Sequence, residues 1–244
     1  MIHLGDCIEW MATIADRSVD HVITDPPYEA EAHTKQRRIM RGSGDHRRRD
    51  RNVQVAVVAP LDFDPITAEQ RDIASVHFAR IVRRWVVVFC QAEAVAAWRS
   101  SFERAGLVWK RAGIWLKPDG MPQLTGDRPG MGYESIAIAH QRGKSVWNGG
   151  GRHGVWRHGK TGAGCAEHEN RHPTQKPIAL MESLVRDFTD HDELVCDPFA
   201  GSGTTGVAAL RNGRRFIGCE LDPKYHAIAM SRIGRTHEQR ELAL

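Results

Sequence analysis

The apolar residues of this 244-residue chain gather into seven short runs, at residues 2–5, 20–25, 84–90, 110–116, 133–140, 194–198 and 215–220. Their length and their content of Val, Ile and aromatic side chains predict strands. The intervals between them read as helices. Pro65-Ile66-Thr67 opens a segment that reaches about Arg83, and residues 91–104 are rich in alanine up to a stop at Gly106. After Pro177 the residues Ile178, Met181, Leu184, Val185 and Phe188 recur at helical spacing, which gives that helix one face to pack on a sheet. A last helix starts at Pro223, where a missing N–H costs nothing, with Asp222 as its cap. Strands alternating with helices predict an α/β fold, a doubly wound and mainly parallel seven-stranded sheet of Rossmann-like type covered on both faces. Residues 119–132 and 142–171 break the pattern. Rich in Gly, Pro, Arg and His, they are predicted to be long surface loops, and loops of that length in a compact domain are usually functional. No repeat or linker divides the chain, so one domain is expected over residues 1–244.

Composition adds one feature to this picture. A chain 41% hydrophobic and 26% charged is a globular protein able to bury one sizeable core. No run approaches a membrane span and the start lacks a signal pattern, so the expected location is the cytoplasm. The cysteines at 7, 90, 165, 196 and 219 are scattered without a CxxC pair, which argues against a disulfide framework or a zinc ribbon. Cys165, His168 and His172, with His153 and His158 upstream, have spacings that zinc accepts, but the segment is loop-like and no metal is expected. The net charge of +4 is small and its distribution is uneven. Lys35, Arg37, Arg38, Arg41, Arg47, Arg48, Arg49 and Arg51 face only Asp45 and Asp50 within one stretch, a concentration that suits a polyanion.

Two strands run into loops that carry chemistry. Residues 194–198 lead into Phe199-Ala200-Gly201-Ser202-Gly203 and then Thr204-Thr205-Gly206, so small residues sit where the backbone turns sharply and approaches a ligand. Gly201, Gly203 and Gly206 satisfy GxGxxG, and Glu220 at the end of the next strand can accept hydrogen bonds from ribose hydroxyls, which points to a nucleoside cofactor. The other loop, Asp25-Pro26-Pro27-Tyr28, begins with a carboxylate and continues with two residues that donate no backbone hydrogen bond. Such a loop accepts protons without offering them, as an exocyclic amine requires, and Tyr28 supplies a face on which a base stacks.

These segments resemble those of the S-adenosylmethionine-dependent DNA amino-methyltransferases, in the permuted order of the β group, where the catalytic loop precedes the cofactor loop. Leu4-Gly5-Asp6, Trp115-Leu116-Lys117-Pro118 and His172-Pro173-Thr174-Gln175-Lys176-Pro177 extend the resemblance over most of the chain. The resemblance implies that Asp25, Pro26, Pro27 and Tyr28 are catalytic. It implies that Asp197, Phe199, Gly201, Ser202, Gly203 and Thr204 surround the methionine part of the cofactor and that Glu220 binds its ribose. Asp6 and its neighbour Cys7 fall near the adenine, and Thr174 and Lys176 near the methionine carboxylate. It further implies that the strands preceding the two loops are neighbours at the switch point of the sheet. Double-stranded DNA is the implied partner, with room for a homodimer. A base inside a duplex cannot reach such a loop, so the target nucleotide is flipped out. The basic region 29–64 is expected to hold phosphates, and 119–171, including Arg152 and Arg157, to form a target-recognition insertion.

Other readings explain less. A cytosine C5 enzyme would need an active cysteine after proline, and no Pro-Cys occurs. Hydride transfer to NAD is favoured only by the glycine loop and leaves the DPPY loop and the arginine stretch without a role. A DNA-binding module without turnover has no use for an intact DPPY. Between adenine N6 and cytosine N4, the family's more usual Asp at the first loop position of adenine enzymes favours adenine.

Overall fold

The computed structural model describes residues 1–28, 38–40, 55–57, 64–120, 126–127, 129–160 and 175–241. Its centre is an eight-stranded sheet built from β1 (Ile2–Leu4), β2 (His21–Thr24), β5 (Trp85–Cys90), β6 (Val108–Leu116), β7 (Tyr133–His140), β8 (Val155–Arg157), β9 (Leu194–Asp197) and β10 (Arg215–Glu220), in the order β1-β10-β9-β2-β5-β7-β6-β8. All neighbours pair in parallel except at β7, which is antiparallel to both β5 and β6. The six side chains of β5 are all buried, as expected of a central strand covered on both faces.

The predicted count of seven strands is corrected to eight, because β8 lies inside the segment expected to be loop. Only Trp156 of its three side chains is buried, so there is no run of apolar positions to reveal it. The basic stretch is likewise more than a loop, since β3 (Arg38–Met40) pairs antiparallel with β4 (Val55–Val57) in a separate two-stranded sheet. Residues 91–104 divide into a 3₁₀ turn at Ala92–Ala94 and α3 (Val95–Arg104).

The remaining helices are α1 (Cys7–Thr13), α2 (Ala68–Ile81), α4 (Ile178–Phe188), α5 (Thr204–Arg211) and α6 (Pro223–Glu241). Helix α1 escapes a periodicity argument because it is only seven residues long, and it begins where the Asp6 side chain accepts from the backbone N–H of Ile8 and Glu9. Thr67 and Gln70 form a reciprocal capping box on α2. Asp222 caps α6 as predicted, through Lys224 N and Tyr225 N.

Two apolar layers sandwich the sheet. One packs Leu180, Leu184 and Phe188 of α4 and Val207 of α5 against Val87, Phe89 and Ile136. The other packs Phe78 of α2 and Trp98 of α3 against Val86, Val88 and Ala137. Among the described residues no helix is long and apolar enough to cross a membrane.

Candidate active site

Strands β2 and β9 are hydrogen-bonded neighbours, with His21 opposite Val195 and Val22 opposite Cys196. The loops that follow them therefore leave the same edge of the sheet side by side, although Thr24 and Asp197 stand 173 positions apart in the chain. A side-chain bond ties them, as the Thr24 hydroxyl donates to Asp197 Oδ1 over 2.6 Å. The same oxygen accepts from Phe199 N at 3.1 Å, so one buried carboxylate fixes both the end of β2 and the start of the cofactor loop. Burial pushes the Asp197 carboxyl up to about 6, against the hydrogen bonds that favour its ionised form.

A cleft of about 550 Å³ opens between the two loops and is lined by Asp6, Cys7, Asp25 to Tyr28, Lys176, Asp197, Phe199, Gly201, Ser202, Thr204 and Glu220. Its size suits a nucleoside-sized ligand. Gly201 and Gly203 hold left-handed backbone, with φ of 52° and 78°. A Cβ on Gly203 would also come within 2.9 Å of Ala229 on α6, so the turn and the close helix behind it require glycine there. Gly203 lies behind the cleft wall. Arg232, buried on α6, donates to the Ser202 carbonyl at 2.7 Å and to Thr204 Oγ1 at 3.1 Å, pinning the loop from beneath.

Glu220 closes the opposite wall. Its Oε2 accepts from Gly201 N at 2.7 Å and its Oε1 from Asp222 N at 2.9 Å, which uses two of the four lone-pair positions of a carboxylate and leaves acceptor capacity for hydroxyls. Burial raises its pKa. Asp6 reaches the cleft as the cap of α1, and burial, helped by the Asp6 charge, holds the Cys7 thiol at about 12, so it is a neutral wall. Backbone strain, depth, walls and acceptor together fit the S-adenosylmethionine that the sequence resemblance implies.

The Asp25–Tyr28 loop, the candidate catalytic loop, is organised by charge. Lys176 Nζ, in the turn before α4, lies 2.5 Å from Asp25 Oδ2 and 3.2 Å from Glu134 Oε2. It thus stands on the catalytic loop, next to Gln175, whose Oε1 accepts from Ser202 Oγ at 3.2 Å. Among the described residues nothing donates to Asp25 Oδ1, although that atom is buried. Burial raises the Asp25 pKa, and the Lys176 charge opposes the rise. Burial works to lower the Lys176 pKa, but the two carboxylates outweigh it and keep the ammonium charged. Tyr28 donates to Glu134 Oε2 at 2.6 Å, and burial lifts its phenol well above the ordinary range.

Glu134 and Arg232 are the functional side chains that motif reading misses. A lone acid in the largely apolar run of residues 133–140 was the available signal for Glu134. Nothing local marks Arg232, whose role depends on α6 folding back behind the glycine loop.

The remaining candidates are placed less uniformly. Thr174, Lys35, Arg37, Arg41, Arg47, Arg48, Arg49 and Arg51, together with Cys165, His168 and His172, lie outside the described residues, and for Arg38 only the strand is described. Arg157 is exposed on β8, opposite Leu116, one residue before Lys117 and hence at the cleft edge of the sheet. Arg152 is elsewhere. It pairs with Asp187 in the last turn of α4, about 15 Å along that helix from the turn holding Lys176, and its side chain stays 62% exposed. Asp187 also accepts from the Trp156 indole at 2.8 Å, and Asn148 bonds the Arg186 and Thr189 carbonyls, which ties residues 147–157 to α4. Among the described residues no group of three or more His, Cys, Asp or Glu is placed to hold a metal.

Comparison with known proteins bears on this geometry. Residues 83–231 match the family model described as DNA methylase, N6_N4_Mtase. The protein YubD of Escherichia coli (strain K12) is 30% identical over 238 residues, covering 94% of this chain and 88% of its own. Type II methyltransferase M2.MboI of Moraxella bovis is 25% identical over 244 residues, covering 95% and 86%. The crystal structure of an M1.HpyAVI–SAM complex superposes with a TM-score of 0.69 at 25% identity, covering 96% of this chain and 98% of that one.

Proposed function

Because the chain belongs to the N6/N4 DNA methylase family, S-adenosylmethionine-dependent enzymes that methylate exocyclic amines of DNA, we propose that its target is the N6 amine of adenine, in a nucleotide flipped out of double-stranded DNA. The observation that carries methylation of an amine at this loop is the unpartnered, buried Asp25 Oδ1 beside the cofactor cleft, and Asp at the first loop position favours adenine. A buried acceptor without a donor is costly to keep and is satisfied when a substrate supplies the proton.

When bound, S-adenosylmethionine supplies an electrophilic methyl group on a sulfonium sulfur. The chain's own residues do the rest. Asp25 Oδ1 and the Pro26 carbonyl accept the two amine protons, which localises the nitrogen lone pair. Tyr28 stacks on the base, and its hydroxyl is fixed by donating to Glu134. The gain comes from positioning and from stabilising positive charge as it grows on nitrogen, after which Asp25 takes the released proton. An ordinary ionised carboxylate suffices, because the amine becomes acidic only once it is methylated. Glu220 holds the ribose, Arg232 keeps the glycine loop in shape, and Asp6, Cys7, Phe199, Ser202 and Thr204 wall the cofactor. Flipping costs a few kcal/mol, which contacts to phosphate can offset. The basic region 29–64 is assigned that role, and 119–171, with Arg157 at the cleft edge, is assigned recognition of the target sequence.

Cytosine N4 is the second reading, since the family covers both amines and the loop meets either with the same geometry. Incubating the protein with unmethylated DNA and S-adenosylmethionine, digesting to nucleosides and identifying the modified base by mass separates them. N6-methyladenine is the expected product. N4-methylcytosine alone would replace adenine with cytosine, and an unmodified digest would remove the proposal.

A further inference from the structure

We propose that Glu134 is a positioning residue for methyl transfer, fixing Tyr28 through its hydroxyl and balancing the charges of Lys176 and Lys117 so that Asp25 keeps one oxygen for the substrate amine. This rests on the reading of the catalytic loop given above. Glu134 sits near the start of β7 and receives donors from three separate parts of the chain. They are Tyr28 of the catalytic loop, Lys117 at the end of β6 and Lys176 before α4. Lys176 is 7% exposed, Lys117 10% and Glu134 18%, so none of these charges is well hydrated. The two lysine charges largely hold the Glu134 carboxyl down, at about 2, against a burial effect that would raise it.

The cluster contains two ammonium groups and two carboxylates, Glu134 and Asp25. Lys176 divides its bonds between the two acids, and its ammonium also lies 5.2 Å from the Tyr28 ring centre and 5.0 Å from that of Phe89. Take the Glu134 charge away and two poorly hydrated cations face one carboxylate. They would draw on both Asp25 oxygens, including the one left for the amine, and would oppose the positive charge that grows on nitrogen. Tyr28 would lose its ionised acceptor at the same time.

The test compares kcat, the KM for S-adenosylmethionine and cofactor affinity by calorimetry for wild type, Glu134→Gln, Lys117→Met and the double variant. Glu134→Gln is expected to lower kcat roughly a hundredfold, the scale of a displaced catalytic group, with the cofactor KM and affinity unchanged. Adding Lys117→Met restores one cation to one carboxylate and is expected to recover most of that loss. A purely structural Glu134 would not be rescued by removing a second polar side chain. Should Glu134→Gln fail to fold, the double variant and Glu134→Asp carry the test, since both keep the charge balanced and are expected to retain transfer. Wild-type kcat in Glu134→Gln, or a folded, cofactor-binding double variant that transfers no better than the single one, overturns the proposal. Methylation by wild type, lost in Asp25→Ala, upholds the catalytic loop in either case, so failure of this inference is distinct from failure of that reading.

Discussion

Asp25 has two unlike oxygens, one engaged by Lys176 and the other buried with no donor among the described residues. With both oxygens held by ammonium groups it would have little left for an amine, and with both in water it would be a poor guide for one. Glu220 shows the complementary arrangement, because both of its oxygens accept backbone N–H groups while the side chain still faces the cleft. Glu220→Ala is therefore expected to weaken S-adenosylmethionine binding by about 1.5–3 kcal/mol, the worth of a hydrogen bond to a charged group. Calorimetry checks this, and unchanged affinity would take Glu220 out of the cofactor site. Asp25 and Glu220 were legible in the sequence because each closes a predicted strand, the position where a sheet of this kind builds its site. Glu134 was not, and Lys176 was legible as a site residue but not as the partner of Asp25, since those contacts depend on groups that only the folded sheet brings within reach.

Strands β2 and β9 are joined by one side-chain bond whose loss has a defined pH signature. Asp197 has a raised pKa, to about 6, so the folded protein holds its proton more tightly than the unfolded chain does. Across the interval from its ordinary 3.8 to about 6 this group therefore makes the fold less stable as pH rises. The Thr24 hydroxyl relieves that burden by donating to the ionised form. Thr24→Val is expected to cost about 1–3 kcal/mol above pH 6, with a penalty that shrinks as pH falls and Asp197 becomes protonated. Urea unfolding at pH 7.5 and pH 4.5 measures the two values, and equal penalties would contradict the coupling. At this scale the sequence revealed long, buried strands such as β5 and missed short ones. β8 buries a single side chain, and β3 and β4 are three-residue strands, β3 in a stretch dominated by arginine.

Over the whole molecule, the sheet order converts distance along the chain into adjacency. The motif that begins at Asp25 and the one that begins at Asp197 belong to opposite ends of the sequence, yet their strands pair and their loops share one cleft. Seven of the eight sheet strands follow from short apolar runs, and several of the helices that cover them follow from helical spacing and capping signals between those runs. The permuted order of the motifs came from their resemblance to the family, because pattern alone does not say which parallel strands are neighbours. The part proposed to face DNA is the basic region 29–64, whose role depends on long-range charge. Replacing Arg47, Arg48 and Arg49 with Gln is expected to weaken duplex binding and to reduce the slope of log K against log salt by about 0.9 for each phosphate no longer neutralised. An unchanged slope in a binding titration would assign that stretch to solvent. Methyl transfer by the proposed mechanism requires Asp25 to meet the amine while the glycine loop and Glu220 hold the methyl donor. Single-turnover methyl transfer by Asp25→Ala, with S-adenosylmethionine affinity measured on the same sample, tests this most directly. Transfer reduced by at least about a hundredfold with affinity retained is the predicted result, and near-normal transfer by a variant lacking that carboxylate would contradict it.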